Sequence, residues 1–537
     1  MFGLTDILIY LPLIVLVWVP LGFYYYSMHS TSYWKRKNVP FAPAKPIVGN
    51  LLECLLFRKS VAQVFSDIYS YPKFISKSCV GMYLFHKPTL LVRDPELVKQ
   101  ILVKDFASFS NRHTASDTHS DIVGSYNLFF ILNPTWKILR ARLTPFFTSG
   151  KMRQMFHLMK NIGNELNDMM LSQKLYEKSE TNSVEIKDIF ARYTTDVIAS
   201  CAFGVEANSL KNPDSDFRKN GRKIFEFDWY RSMEFFSVFL LPEVVPFFKF
   251  KVFSQDSTKF IRDSINHIIG EREKSKAVRN DLIDTLISLK KEDKSEHLSA
   301  TNVAEISYDP YPCNLFSVFQ GDVIVAQAAI FFTAGYETSS TALSFGMYEL
   351  AFQPDIQKRL REEIRETLQE SKNELTYDNV NGMVYLNMIV QEMMRMYPPV
   401  PFLDRKCTES KGYSLKPFED CVIPNDTPIM IPVFSIQRDP KYWPNPEKFD
   451  PERFSPQNKD HIVPYTFLAL GVGPRSCIGE RFGILQMKVG LINFFKNHLV
   501  RPTENTPTVL KFEPRALFLQ SVGGIYLEVV RDPIILN

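Results

Sequence analysis

Apolar positions recur along most of this chain at intervals of three and four residues, the spacing that gathers them on one face of a helix. The pattern predicts helices over Leu97–Lys104, Trp136–Phe147, Met152–Met170, Ile186–Cys201, Thr258–Lys276, Asp322–Phe352, Asp355–Leu368 and Leu386–Met396, with another starting in the apolar run Ile484–Val489. Strand-like runs are few and short: Thr89–Val92, Thr427–Ile431 and Ile525–Val530. With no long low-complexity linker and no internal repeat, this balance predicts one large, mainly α domain with a small β region.

Two stretches depart from the amphipathic pattern. Ile7–Tyr26 reads ILIYLPLIVLVWVPLGFYYY, twenty residues without a charge. As a helix at about 1.5 Å per residue it would cross a hydrocarbon core of roughly 30 Å. It lacks the short apolar region and small-residue cleavage site of a removed signal peptide. Residues 1–27 are therefore expected to form a single transmembrane anchor, and Lys35, Arg36 and Lys37 just beyond it place the rest of the chain in the cytosol. Residues 28–50 follow as a connector, whose prolines in VPFAPAKPIVGN (Val39–Asn50) stop the helix from continuing; the domain proper covers 51–537. The second stretch, Phe235–Phe253, is very apolar but broken by Pro242 and Pro246 and ends with Lys249 and Lys251. It reads equally well as core or as a patch dipping into a membrane interface.

Composition narrows the function. At 45% hydrophobic and 23% charged residues the chain has a large core and is not disordered. Forty-four phenylalanines suit a protein that surrounds something large and apolar. A net charge of +4, with no basic cluster interleaved with aromatics, argues against nucleic acid as a partner. The seven cysteines are dispersed without a CxxC pair, the usage of a reduced compartment. The nine histidines contain no HExxH, so a zinc hydrolase is unsupported.

The chemistry concentrates in LALGVGPRSCIGERFG, Leu468–Gly483. Cys477 stands there alone, and a lone thiol near its ordinary pKa of about 8.5 is mostly protonated. Stabilising its thiolate takes a metal, backbone N–H donors or a helix N-terminus. Gly473 and Gly479 permit a tight turn and close approach of a flat ligand, and a helix begins just beyond. As a dinucleotide loop the stretch is poor, because the third glycine is misplaced and Pro474 has no N–H. A catalytic thiol would need a histidine partner, which remains open at this level. A thiolate ligating haem iron uses every feature of the loop, with Arg475 available to a propionate.

GVGPRSCIG resembles the haem-binding signature of the cytochrome P450 superfamily, matching at Gly473, Arg475, Cys477 and Gly479. It departs at Leu470, where the superfamily usually has Phe. Six further motifs follow the same resemblance. AGYETS (Ala334–Ser339) is similar to the oxygen-activation motif, which implies that small Ala334 and Gly335 make room for dioxygen, that the Thr338 hydroxyl hydrogen-bonds it, and that Glu337 relays protons. A solvated glutamate and a back-bonded threonine are the plainer reading of that pair. EMMR (Glu392–Arg395) and PERF (Pro451–Phe454) look like a structural triad of Glu392, Arg395 and Arg453. WKILR, NRH and DRKC imply that Trp136, Arg140, Arg112 and Arg405 reach the haem propionates, a task suited to the planar guanidinium. The closest likeness is to the insect microsomal detoxification branch, family six.

The resemblance implies a cytochrome P450-type haem domain behind the N-terminal transmembrane helix, held in the endoplasmic reticulum membrane. The cofactor would be haem (iron protoporphyrin IX), with Cys477 as the metal ligand and O2 and NADPH as co-substrates. Electrons would arrive through a separate NADPH–cytochrome P450 reductase, with cytochrome b5 as an optional second partner. A basic face of Lys137, Arg142, Arg481 and Lys488 would receive it. The substrate would be a lipophilic small molecule, a foreign compound such as a plant toxin or insecticide, with an endogenous hormone or lipid as the alternative. A haem-thiolate isomerase and a non-enzymatic haem sensor are the competing readings. Matching segments put the loop His113–Ile131, Phe332 and Ala334, Val400–Leu403 (with Phe402 and Leu403) and Leu519–Val522 on the substrate pocket.

Overall fold

The structure is a computed structural model that describes residues 17–18, 21–172, 183–296 and 321–534. Most of the anchor expected over 1–27 lies outside these residues, as does Cys313. Among the described residues no helix is long and apolar enough to cross a membrane.

The organising element is the helix Asp322–Phe352, which runs unbroken through the domain and is buried over most of its length. Its sequence is apolar nearly all round, the signature of a helix with no solvent face. It packs along Ile186–Ile198 on one side and against the C-terminal helix Glu480–Phe495 on another. The predicted helices all form, with boundaries shifted by a few residues. Three end differently from the pattern: Trp136–Phe147 is α-helical only over Thr135–Leu143 and tightens into a 3-10 turn at Thr144–Phe147. Leu97–Lys104 divides into an α-helix, Pro95–Lys99, and a wider π-type turn, Gln100–Lys104; the helix Ile186–Ile198 likewise relaxes into a π-type turn at Ala199–Phe203.

Among the described residues nine strands make up the β region: β1 (Cys79–Leu84), β2 (Lys87–Val92), β3 (Ser183–Glu185), β4 (Leu403–Lys406), β5 (Tyr413–Ser414), β6 (Val422–Ile423), β7 (Pro428–Ile431), β8 (His498–Pro502) and β9 (Tyr526–Arg531). The largest sheet has the order β1-β2-β7-β4, with β2 and β7 parallel and the other pairs antiparallel. β3-β9-β8 and β5-β6 form two smaller sheets. All six residues of β1 are buried, so CVGMYL shows no alternation for a pattern reading to find.

The Glu392–Arg395–Arg453 triad forms, and it forms dry. Both Glu392 and Arg395 are fully buried; Arg395 Nε and Nη2 donate to the two carboxylate oxygens at 2.6 and 2.9 Å. Arg395 also donates to the carbonyls of Gln437 and Pro446, both at 2.8 Å, while Arg453 Nε stands 3.4 Å from Glu392 Oε1. Arg395 thereby ties the loop segments 437–448 to the helix Val384–Met396.

The stretch Phe235–Phe253 divides between its two readings. Phe235, Phe236 and Phe239 are buried on the helix Trp229–Leu240, whereas Phe247 and Phe248 are 83% and 56% exposed at the tip beside exposed Lys249.

Candidate active site

A cavity of about 280 Å³ lies between the central helix and the Cys477 loop. Its floor is the loop, held by the Cys477 N–H donating to Leu470 O at 2.8 Å. Gly473 takes φ +75° there, and any Cβ would strike the Leu102 carbonyl, so the loop is seated directly on the turn Gln100–Lys104. Gly479 has an ordinary φ of −89° and is the cap of the helix Glu480–Phe495; a Cβ there would meet nothing nearer than Phe147 at 3.8 Å. The Cys477 side chain opens onto the cavity. Deep placement raises its thiol pKa, a trend opposed by the Gly479 N–H and the Arg140 guanidinium.

The opposite wall is Ala334, Gly335 and Thr338 of the central helix. The Thr338 hydroxyl faces the cavity while donating to Ala334 O at 2.7 Å, so the back-bonded reading and the cavity-facing one hold together. Val400, Phe402 and Leu403 close one side, and Phe129, Phe239 and Phe518 another.

The rim is cationic. Arg112, Arg140, Arg475 and the Trp136 indole all border the cavity. Arg475 lies 4.2 Å over the Trp136 ring and donates to Ser110 O at 2.7 Å and Ile131 O at 3.1 Å. Arg140 Nη1 donates to Ser476 O at 2.9 Å, next to the cysteine. Arg112 pairs with Asp404 at 2.8 Å. Burial would raise the Asp404 pKa, but Arg112, the Thr114 N–H and Arg405 together hold it at about 2. Arg405 is buried behind the rim, where burial and its neighbour Arg112 pull it down to about 9 despite Asp404.

Several sequence expectations are corrected by this geometry. Phe332 points away from the cavity and packs among Phe203, Phe217 and Tyr336; its neighbours Ile330 and Phe331 take the wall, because successive helical residues face about 100° apart. Leu519 is buried behind the wall, with Leu517 and Phe518 lining it instead. Glu337 is also off the cavity: its carboxylate accepts from Lys187 Nζ at 2.9 Å on the face of the helix turned toward Ile186–Ile198. Arg405 does not border the cavity, and Lys488, expected on a basic face, is 3% exposed. Gln486 was missed. It lines the cavity from the C-terminal helix and donates to Gly335 O at 2.8 Å, a role that a lone polar residue in an apolar helix hints at.

These residues fit a flat dianionic cofactor. Four guanidiniums gather at or behind one rim against a single carboxylate, Asp404, and the buried Nε atoms of Arg112 and Arg405 have no acceptor. Such a surplus of buried cations calls for anions. Among the described residues no three His, Cys, Asp or Glu side chains converge to hold a metal, so a metal at Cys477 must bring its remaining ligands with it. Haem, with two propionates and four ring nitrogens, does both.

The comparisons agree. The cytochrome P450 family model matches residues 39–310 and 314–529. "Probable cytochrome P450 6g2" of Drosophila melanogaster is 46% identical over 97% of this chain and 99% of its own length. "Cytochrome P450 6k1" of Blattella germanica is 41% identical over 99% of this chain and 98% of its own. The chain belongs to the cytochrome P450 family of haem-thiolate monooxygenases, within its insect relatives.

Proposed function

We propose that this monooxygenase inserts one oxygen atom of O2 into lipophilic foreign compounds, with electrons passed from NADPH by a separate reductase. We place it in the endoplasmic reticulum membrane, anchored by residues 1–27 with the domain in the cytosol. One observation carries the reading: Cys477 and the Ala334–Gly335–Thr338 turn border the same mostly apolar cavity, whose one lining carboxylate among the described residues is already committed to Arg112. An apolar pocket with few polar groups selects by shape and hydrophobicity, which favours lipophilic substrates.

When bound, haem supplies the activation of dioxygen, with thiolate donation favouring O–O cleavage. The chain's own residues then divide the remaining work. Cys477 Sγ would hold the iron as its thiolate, having given up its proton. Arg112, Arg140 and Arg475, with the Trp136 indole beside them, neutralise and orient the propionates. The Thr338 hydroxyl is the proton-bearing group on the distal wall. Glu337 stands behind the helix, where Lys187 holds the carboxylate; burial lowers the Lys187 pKa and Glu337 opposes that. Phe129, Phe239 and Phe518 exclude water and shape the substrate's fit. Exposed Lys137 and Arg481 remain available to steer an acidic electron donor.

Reconstitution with a P450 reductase and incubation with a mixed lipophilic library tests the proposal. The expected products gain one oxygen atom and require both NADPH and O2. Cys477→Ala should abolish them together with the thiolate-type absorption of the reduced carbon-monoxide complex. A variant retaining that absorption would overturn the ligand assignment, and turnover without NADPH would move the protein to the isomerase reading.

A further inference from the structure

Four consecutive carbonyls of the central helix, from Ala334 to Glu337, each accept a side-chain hydrogen bond in addition to their place in the helical ladder. Thr338 Oγ1 donates to Ala334 O at 2.7 Å and Gln486 Nε2 to Gly335 O at 2.8 Å. Thr194 Oγ1 donates to Tyr336 O at 2.9 Å and Lys187 Nζ to Glu337 O at 3.3 Å. Apart from Thr338, these donors reach in from the two helices packed on either side. Gly335 permits the approach: a Cβ there would stand 2.8 Å from Ile198 Cδ1. Gln486 is fully buried, and its backbone carbonyl accepts from the Tyr193 hydroxyl at 2.9 Å. Its amide also reaches the Ser339 hydroxyl.

A carbonyl oxygen has two acceptor sites. Breaking its helical bond in a dry interior ordinarily strands it, and a stranded buried acceptor costs more than the net worth of the bond. In this turn the side-chain donor remains after the N–H leaves. The turn can therefore open beside the cavity with its carbonyls satisfied, freeing the N–H groups of residues 338–341 for water or an oxygen ligand.

We propose that Gln486, together with Thr194, is a positioning residue that holds this turn ready to open. It thereby links the helix following the cysteine loop to the turn on the opposite wall. The link to dioxygen rests on the proposed function; amide exchange reads the turn itself, so the two ideas fail separately.

The test compares amide hydrogen exchange over residues 334–342 in haem-loaded wild type and Gln486→Leu, with product formed per NADPH measured in parallel. Opening in the variant strands Gly335 O, so exchange there should slow by about tenfold. The carbon-monoxide spectrum should be unchanged, and product per NADPH should fall with the lost electrons appearing as hydrogen peroxide. A merely structural clamp gives the opposite sign, because its loss loosens the helix. Faster or unchanged exchange would overturn the inference. Slower exchange with unchanged coupling would support the turn and overturn its link to dioxygen. Thr194→Val carries the same prediction at Tyr336 O and decides the matter if Gln486→Leu does not load haem.

Discussion

Lys488 is a cation in the wrong place, and its cost can be worked out. The residue is 3% exposed on the helix Glu480–Phe495. Burial pulls its ammonium from 10.5 down to about 8, opposed only in part by Glu363. That carboxylate is already engaged by the N–H groups of Tyr385 and Leu386, each at 2.8 Å. The drop corresponds to about 3 kcal/mol at roughly 1.36 kcal/mol per unit. Its sign follows from proton counting: between about pH 8 and 10.5 the unfolded chain holds the lysine proton and the folded chain has lost it. Stability therefore rises with pH across that window, and the full penalty applies below it. Lys488→Met, which keeps the length and drops the charge, should stabilise the domain by about 2–3 kcal/mol at pH 7 and by little above pH 10. Urea unfolding followed by circular dichroism at both pH values measures this. A variant no more stable than wild type at pH 7, or a gain undiminished at high pH, would refute the reasoning.

Three further outcomes are expected. Thr338→Ala should bind haem and ligand normally while product per NADPH falls and peroxide rises; an unchanged ratio would remove Thr338 from the proton path. Arg395→Ala strands the fully buried Glu392 and should cost about 3–5 kcal/mol, read as loss of haem-loaded protein, whereas a soluble variant of normal stability would contradict the buried pair. A chain lacking residues 1–27 should still bind lipid vesicles weakly and reversibly through Phe247 and Phe248 beside Lys249, and replacing both phenylalanines by serine should abolish that residual binding. Full solubility of the truncated chain before those replacements would return the tip to a role unrelated to membranes.

The long helices were legible because a buried face repeats every three to four residues, and Asp322–Phe352 matches its predicted limits. β1 was not, since a strand covered on both faces carries no alternation. Motif spacing led to Cys477, Thr338 and the arginines, yet it could not orient side chains. Phe332 and Leu519 each sit one or two positions from the residues that line the cavity, and Glu337 is turned to the other side of its helix. Lys488 was misread for a related reason: nothing local distinguishes a lysine on a solvated face from one folded under a neighbouring helix. Gln486 escaped because its importance lies in a carbonyl of a distant segment, which no local pattern encodes.

The seating of Gly473 on the Leu102 carbonyl has a consequence for the order of assembly during synthesis. The turn that positions the floor of the cavity is made long before the floor itself, because Leu102 far precedes Gly473 and Cys477 in the sequence. A nascent chain that has reached the central helix owns the distal wall, Arg112 and Arg140, but not yet Cys477. The cavity is therefore completed only when the loop has been made and closes against partners synthesised long before. Until then the apolar walls lack their floor, and apolar surface left exposed in this way is prone to aggregate.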